Sequence, residues 1–331
     1  MFSAYPLIRD DLAGTTASGL FEAKLGREHF GKEVHVFSPA YTQEDFTQLL
    51  ELCDHIVFNS FGQWKKYRQQ VQDATRNISC GIRINPGYAE VETDLYNPCI
   101  SGSRMGVPLE QMEEEGFDGL DGIHFHTMCE QNSDVLERTL DQMLPKFDKW
   151  LKRCKWVNFG GGHHITRPDY DVERLVRCVE RVRDAYGVQV YLEPGEAVAL
   201  TAGYLVTTVL DIVHNGMDIA ILDASAACHM PDVLEMPYRP HILYSGKPEE
   251  KVHTYRLAGN TCLAGDVIGD YSFDHRLQPG DKLVFCDMAI YSMVKNNTFN
   301  GVPLPDIALY QNGKIELVKH FGYADFEGRL S

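Results

Sequence analysis

Seven short apolar segments recur along the first two-thirds of the chain at intervals of about twenty to forty residues, each ending in small, polar or turn-forming residues. They are Leu12 to Thr16, Val34 to Ser38, His55 to Asn59, Gly81 to Asn85, Gly122 to His126, Trp156 to Phe159 and Val190 to Glu193. Between them, stretches such as Glu44 to Cys53, Phe61 to Gln72, Asp134 to Lys152 and Asp171 to Tyr186 carry helical periodicity and charged outer faces. Strands that alternate with helices pair in parallel, which restricts the chain to an α/β architecture. Ser38, Asn59, Asn85, His126, the run Gly160-Gly161-Gly162 and Glu193 all fall at strand ends, where a βα-barrel gathers its active-site loops. The expected fold class is therefore a TIM-type βα-barrel. A doubly wound open sheet is the alternative, but Gly160-Gly161-Gly162 does not follow a first strand as a dinucleotide fingerprint should.

The strand count adds a constraint. Such a barrel closes with eight strands, and omitting one exposes two edges and the interior side chains. Tyr5-Pro6-Leu7-Ile8 reads as the helix that follows a strand, so the first strand is expected upstream of Met1. From about Thr207 the texture changes to strand-like segments without long helices: Val206 to Val213, Met217 to Asp223, Lys251 to Ala258, Lys282 to Val294 and Ile307 to Gln311. These predict an all-β, barrel-like second domain, with boundaries of 1–205 for the incomplete barrel and 206–331 for the β domain.

Composition excludes several classes. A chain of 331 residues, 44% hydrophobic and 24% charged, can bury a full core. No apolar run approaches the ~18 residues of a membrane span, and Met1 to Pro6 lacks the features of a signal peptide, so the expected compartment is the cytoplasm. The nine cysteines are widely spaced, with no C-x-x-C pair, which argues against a zinc knuckle or a disulfide framework. A formal net charge of −16 disfavours nucleic acid as a partner and attracts a cationic small molecule, although acidity also serves solubility.

Two strand-ending loops carry the chemistry. A triple glycine after Phe159 lets backbone N–H groups close on an anion, and Glu193-Pro194-Gly195-Glu196 on the next strand supplies a facing carboxylate. Together they point to a phosphorylated cofactor, with a simple tight turn as the bland reading of the glycines.

The chain resembles the fold-type III pyridoxal-phosphate enzymes, the alanine racemase and ornithine decarboxylase group, and within it the carboxynorspermidine (carboxyspermidine) decarboxylase family. The resemblance spans essentially the whole chain. It rests on Gly14 to Glu22, Ser103-Arg104-Met105-Gly106, Phe125-His126-Thr127-Met128-Cys129-Glu130, Gly160-Gly161-Gly162, Glu193-Pro194-Gly195-Glu196-Ala197, Asp223 with His229-Met230-Pro231-Asp232, Cys262-Leu263-Ala264-Gly265-Asp266 and Tyr291-Ser292-Met293-Val294-Lys295. Glu-Pro-Gly-Glu, in place of the Glu-Pro-Gly-Arg of many relatives, and Cys-Leu-Ala-Gly-Asp discriminate best.

The resemblance implies pyridoxal 5'-phosphate as cofactor and a homodimer with shared active sites acting on a cationic carboxy-polyamine. It implies that Glu193 pairs with the pyridine nitrogen, that His126 stacks on the ring, and that Gly160, Gly161, Gly162 and Gly195 hold the phosphate with a donor from Tyr291. Cys262 would handle the proton at the reacting carbon across the dimer interface, with a buried thiol as its alternative. Glu196, Asp232, Glu235 and Asp266 would face substrate, with a solvated loop the equal alternative for Asp232 and Glu235. Arg104 lies in a cofactor-side motif, whereas Arg83 is expected in a structural ion pair. His124 reads either as a core histidine or, with His126, as a metal pair; no metal is assigned. His163 and His164 line the site or lie exposed in a loop.

One element of the family is missing. The Schiff-base lysine ends the first barrel strand, and none of Lys24, Lys32, Lys155 or Lys295 fits that position. An incomplete N-terminus accounts for strand and lysine together; a truncated, non-catalytic relative is the alternative. A decarboxylase of diaminopimelate or a basic amino acid is the rival enzyme reading.

Overall fold

The computed structural model describes residues 2–113 and 115–331 and divides into two compact units, Met1–Val198 and Ala199–Ser331. The expected boundary at 205/206 lies inside the first long strand of the second unit, Tyr204–His214.

In the first unit every apolar segment becomes a strand: β1 (Gly14–Ala17), β2 (Glu33–Phe37), β3 (His55–Phe58), β4 (Ser79–Asn85), then β6 (Gly122–His124), β7 (Trp156–Asn158) and β8 (Gln189–Tyr191) after a two-residue β5 (Val107–Pro108). All pair in parallel in the order β1-β2-β3-β4-β6-β7-β8, with β5 against β4. Among the described residues β1 and β8 each pair on one side only, so the sheet is seven strands of a barrel, open at those two edges.

The helices start where the loops supply a cap. Thr42 accepts from the Asp45 N–H, Ser60 from Gln63 and Asp171 from Arg174, each satisfying a first-turn donor that the helix leaves unpaired. The helix Ser133–Leu151 buries Leu136, Leu140, Met143, Phe147 and Trp150, spaced three or four apart, against the sheet. Helix Val172–Tyr186 stops at Gly187, whose φ of 68° is the left-handed conformation that ends helices.

Strand register lines up the barrel interior in rows. Gly81, Gly122 and Trp156 pair in one row, and Arg83, His124 and Asn158 in the next, nearer the C-terminal ends of the strands. The two glycines make room for the indole: a Cβ at Gly81 would lie 2.3 Å from Trp156 Cη2, and one at Gly122 would lie 2.1 Å from Cδ2. Trp156 Nε1 donates to Ser79 Oγ at 2.8 Å, and Ser79 Oγ donates to Asp121 at 2.9 Å, so the buried indole N–H is satisfied. On the same face of the sheet His35 and His55 stack with centroids 3.9 Å apart, the His55 ring lies 5.1 Å from the Trp156 ring, and Glu33 lies 3.1 Å from His35 Nε2.

The second unit is mostly β. Strands β9 (Tyr204–His214), β10 (Asp218–Leu222), β11 (His253–Ala258), β12 (Val267–Phe273) and β13 (Lys282–Cys286) form one sheet in the order β12-β11-β10-β9-β13, antiparallel except for β10 with β11. A hairpin, β14 (Ile307–Gln311) with β15 (Lys314–Lys319), and a helix Tyr323–Leu330 follow. The strand expected over Lys282 to Val294 stops at Cys286. Asp287 takes a φ of 56°, which ends the ladder, and Tyr291–Val294 forms a single helical turn. All nine cysteines are free, five of them buried and Cys262 exposed. No helix among the described residues is long and apolar enough to cross a membrane.

Candidate active site

Beyond the row of Arg83, His124 and Asn158, three strand-to-loop junctions converge: His126 after β6, Gly160 after β7 and Glu193 after β8. Glu193 Oε1 accepts from Asn158 Nδ2 at 2.8 Å, and its Oε2 lies 3.5 Å from His124 Nε2. Burial alone would raise the carboxyl pKa, but His124, His126 and Asn158 outweigh it and hold Glu193 down at about 2. The carboxylate is thus ionised and largely buried, and among the described residues no lysine or arginine stands within ion-pair distance of it.

His126 is turned onto the glycine loop. Its Nδ1 accepts the Gly161 N–H at 3.1 Å, which places the ring proton on Nε2. Burial, then the nearby Arg83 and His124, push its pKa down to about 3, so the imidazole is neutral at any working pH. The loop is built for close approach: Gly160 and Gly162 have φ values of 72° and 81°, and a Cβ at Gly161 would stand 2.7 Å from the Glu193 carbonyl oxygen. The Gly160 N–H donates to Asn158 Oδ1 at 2.8 Å and the Gly195 N–H to the Glu193 carbonyl at 2.8 Å. With Gly161 on His126, three of the N–H groups expected to meet a phosphate already have internal partners.

Arg83 differs from expectation. It is buried, yet among the described residues no carboxylate lies within ion-pair distance. Its Nη2 donates to the His126 carbonyl at 3.3 Å and its guanidinium covers the Phe37 ring at 4.6 Å. Burial lowers its pKa to about 10, which leaves it cationic at neutral pH. It braces the His126 backbone and feels the charge of Glu193 without touching it, which works against the fall in its pKa. Arg104 is exposed, and its loop is clamped by Asn59, which accepts from the Gly106 N–H at 2.7 Å and donates to the Arg104 carbonyl at 2.8 Å.

Both loop histidines turn inward. His163 is buried with Nε2 3.4 Å from the Phe159 carbonyl, and His164 is buried 3.8 Å from Glu196 Oε2. Asn158, which bridges Glu193 and Gly160, escaped the sequence reading; its signal was a lone amide inside an apolar strand, two residues before the glycine run.

The remaining residues belong to the second unit. Asp266 is buried, and its carboxylate accepts from Ser225 Oγ at 2.8 Å, Thr261 Oγ1 at 2.6 Å and the Ala227 N–H at 3.2 Å. It anchors the loop that carries Cys262, whose N–H donates to Asn300 Oδ1 at 2.9 Å. His229 is a core residue, accepting the Ser225 N–H at 3.2 Å. Asp232 and Glu235 share the ammonium of Lys295. Tyr291 is half exposed at the start of its helical turn.

A buried, ionised carboxylate beside a neutral imidazole and a glycine loop fits the pyridinium of pyridoxal phosphate, whose ring needs an anion at its nitrogen and a flat neighbour on its face. His124, His126 and Glu193 also offer donor atoms within 4.8 Å of one another, as a divalent cation would require. Similarity to known proteins decides between them. The chain belongs to the pyridoxal-dependent decarboxylase family: the family model described as the C-terminal sheet domain of pyridoxal-dependent decarboxylases matches residues 34–289. A carboxynorspermidine/carboxyspermidine decarboxylase of Campylobacter jejuni is 43% identical over 98% of this chain and 87% of its own. A carboxyaminopropylagmatine decarboxylase of Synechocystis is also 43% identical, over 100% of this chain and 86% of its own. The crystal structure of the Campylobacter jejuni carboxynorspermidine decarboxylase in complex with norspermidine superposes with a TM-score of 0.90 at 41% identity, over 99% of this chain and 89% of that one.

Proposed function

We propose that the protein decarboxylates carboxynorspermidine or carboxyspermidine to norspermidine or spermidine, with pyridoxal 5'-phosphate as cofactor. The observation that carries this reading is Glu193, a largely buried carboxylate kept ionised by an amide and imidazoles, with no lysine or arginine among the described residues within ion-pair distance. When bound, pyridoxal phosphate supplies an electron sink for the pair left behind by carbon dioxide.

The protein's own residues then divide the work. Glu193 holds the ring nitrogen protonated, and neutral His126 lies against the ring without opposing that charge. Gly160, Gly161, Gly162 and Gly195, with the Tyr291 hydroxyl, take the phosphate, three of the glycine N–H groups exchanging their present partners for it. Cys262 delivers a proton to the carbon that loses carboxylate, on a loop that Asp266 fixes. Glu196, Asp232 and Glu235 receive ammonium groups of the substrate, in keeping with the net charge of −16. Lys24, Lys32 and Lys155 are occupied elsewhere, on Glu28, on the Arg9 and Leu12 carbonyls and on Asp121, so none of them is assigned to the cofactor aldehyde. The reading includes a homodimer in which Cys262 serves the site of the other copy, and a cytoplasmic location.

Incubating the full-length protein with pyridoxal phosphate and carboxyspermidine tests the reading; absence of both carbon dioxide and spermidine would sink it. The equal identity to the Synechocystis enzyme favours carboxyaminopropylagmatine as a second substrate, which ends in a guanidinium instead of an ammonium. Turnover of the two substrates side by side ranks them.

A further inference from the structure

Lys295 closes the helical turn Tyr291–Val294 and reaches back to two acids. Its Nζ donates to Asp232 Oδ1 and, at 3.0 Å, to Glu235 Oε2, and it lies 5.9 Å from the centroid of the Tyr291 ring. The Asp232 side chain is 13% exposed and that of Lys295 is 34% exposed. These are the two carboxylates assigned above to a polyamine's ammonium groups, and the group on them is already a primary alkylammonium. Four methylenes ending in an ammonium describe both a lysine side chain and the aminobutyl end of spermidine.

We infer that Lys295 is an internal stand-in for the terminal ammonium of the substrate, seated on Asp232 and Glu235 until a polyamine displaces it, and that it sets which amines the pair accepts. The inference rests on the polyamine reading of the site. Two carboxylates against one ammonium leave a net negative charge, so an incoming cation is still attracted. A monoamine merely exchanges one ion pair for another while losing its own translational freedom, and gains nothing. A polyamine held by other groups presents its ammonium at high effective concentration and wins the exchange. Burial works against the charge on Lys295, but the two carboxylates outweigh it and raise its pKa, so the stand-in stays charged. Being partly exposed, it can leave for water at small cost.

The test is Lys295→Met, which keeps the length and removes the ammonium, with Lys295→Gln as a second variant should Met impair folding. Full-length protein loaded with pyridoxal phosphate is titrated calorimetrically with propylamine and then with spermidine. Wild type should show no saturable propylamine binding in the millimolar range. The variant should gain it, bind spermidine about tenfold more tightly, and lose both gains when Asp232→Asn is added. Equal propylamine binding by variant and wild type, or weaker spermidine binding by the variant, overturns the inference. Failure of wild type to release carbon dioxide from carboxyspermidine would instead remove the polyamine reading, while the propylamine titration still decides whether Lys295 guards the pair.

Discussion

Glu193 and Asp232 are both largely buried carboxylates, one in each unit, yet their charges are handled in opposite ways. Around Glu193 the contacts are an amide and an imidazole, which keep the acid ionised by hydrogen bonding and proximity, while among the described residues no lysine or arginine comes within ion-pair distance. Asp232 is matched by an ammonium from its own chain. A carboxylate held by dipoles is poised for a cationic ligand, because the ligand meets an anion already desolvated and oriented. A carboxylate held by a lysine is balanced at rest, and a ligand gains there only the difference between two similar ion pairs. On the proposed reading, strong, permanent binding is expected at Glu193 and exchangeable binding at Asp232.

The largest effect should come from Glu193→Gln, which keeps the shape and removes the anion. The rate of carbon dioxide release should fall by about a thousandfold, with the absorbance of bound pyridoxal phosphate shifting as its ring nitrogen loses a proton. A change smaller than tenfold would remove the distinction between the two acids. Next comes Trp156→Ala, beneath Glu193. Deleting an indole seated on two glycines should cost about 3 kcal/mol or more in urea unfolding, and it should also weaken cofactor binding if the interior row supports the mouth. Asp266→Ala strips an acceptor from Ser225, Thr261 and Ala227. A loss of about 1–3 kcal/mol and faster alkylation of Cys262 are expected, read by unfolding and by thiol labelling.

The smallest effect is on the pH profile. Burial lowers the pKa of His35 and of His55 to about 4, below the usual imidazole value of 6.5. The unfolded chain therefore takes up protons first on acidification. The stability contributed by neutral imidazoles is full above pH 6.5, falls as the pH drops towards about 4, and levels off below that. Replacing the pair with Asn and Gln should flatten the melting temperature across that window. An unchanged slope would assign the acid sensitivity to other groups.

Much of the barrel was legible because parallel strands buried on both faces leave compact apolar runs, and the predicted segments overlie all seven long strands of the first unit. The second unit was less so. β12, Val-Ile-Gly-Asp-Tyr-Ser-Phe, mixes polar residues with a glycine and follows directly on the Cys262 motif, and β15 is exposed throughout, so neither gives a buried-strand pattern. At the site, the residue types were readable but their partners were not. Arg83 looked like half of an ion pair, yet it braces a carbonyl and an aromatic ring. Asp266 looked free to meet substrate, yet its oxygens are filled by a loop. Such assignments depend on which strands stand side by side, and the linear order does not carry that. Lys295 shows no partner in the linear sequence, because its acids lie sixty or more residues away.

Trp156 needs glycine at both Gly81 and Gly122, on two neighbouring strands. In evolutionary terms the three positions form one epistatic unit. An alanine at either glycine is excluded while the indole is present, and loss of the indole opens a hole beside both. Drift among relatives should therefore change the three positions jointly, and reversion of one alone should become steadily harder once the others have moved.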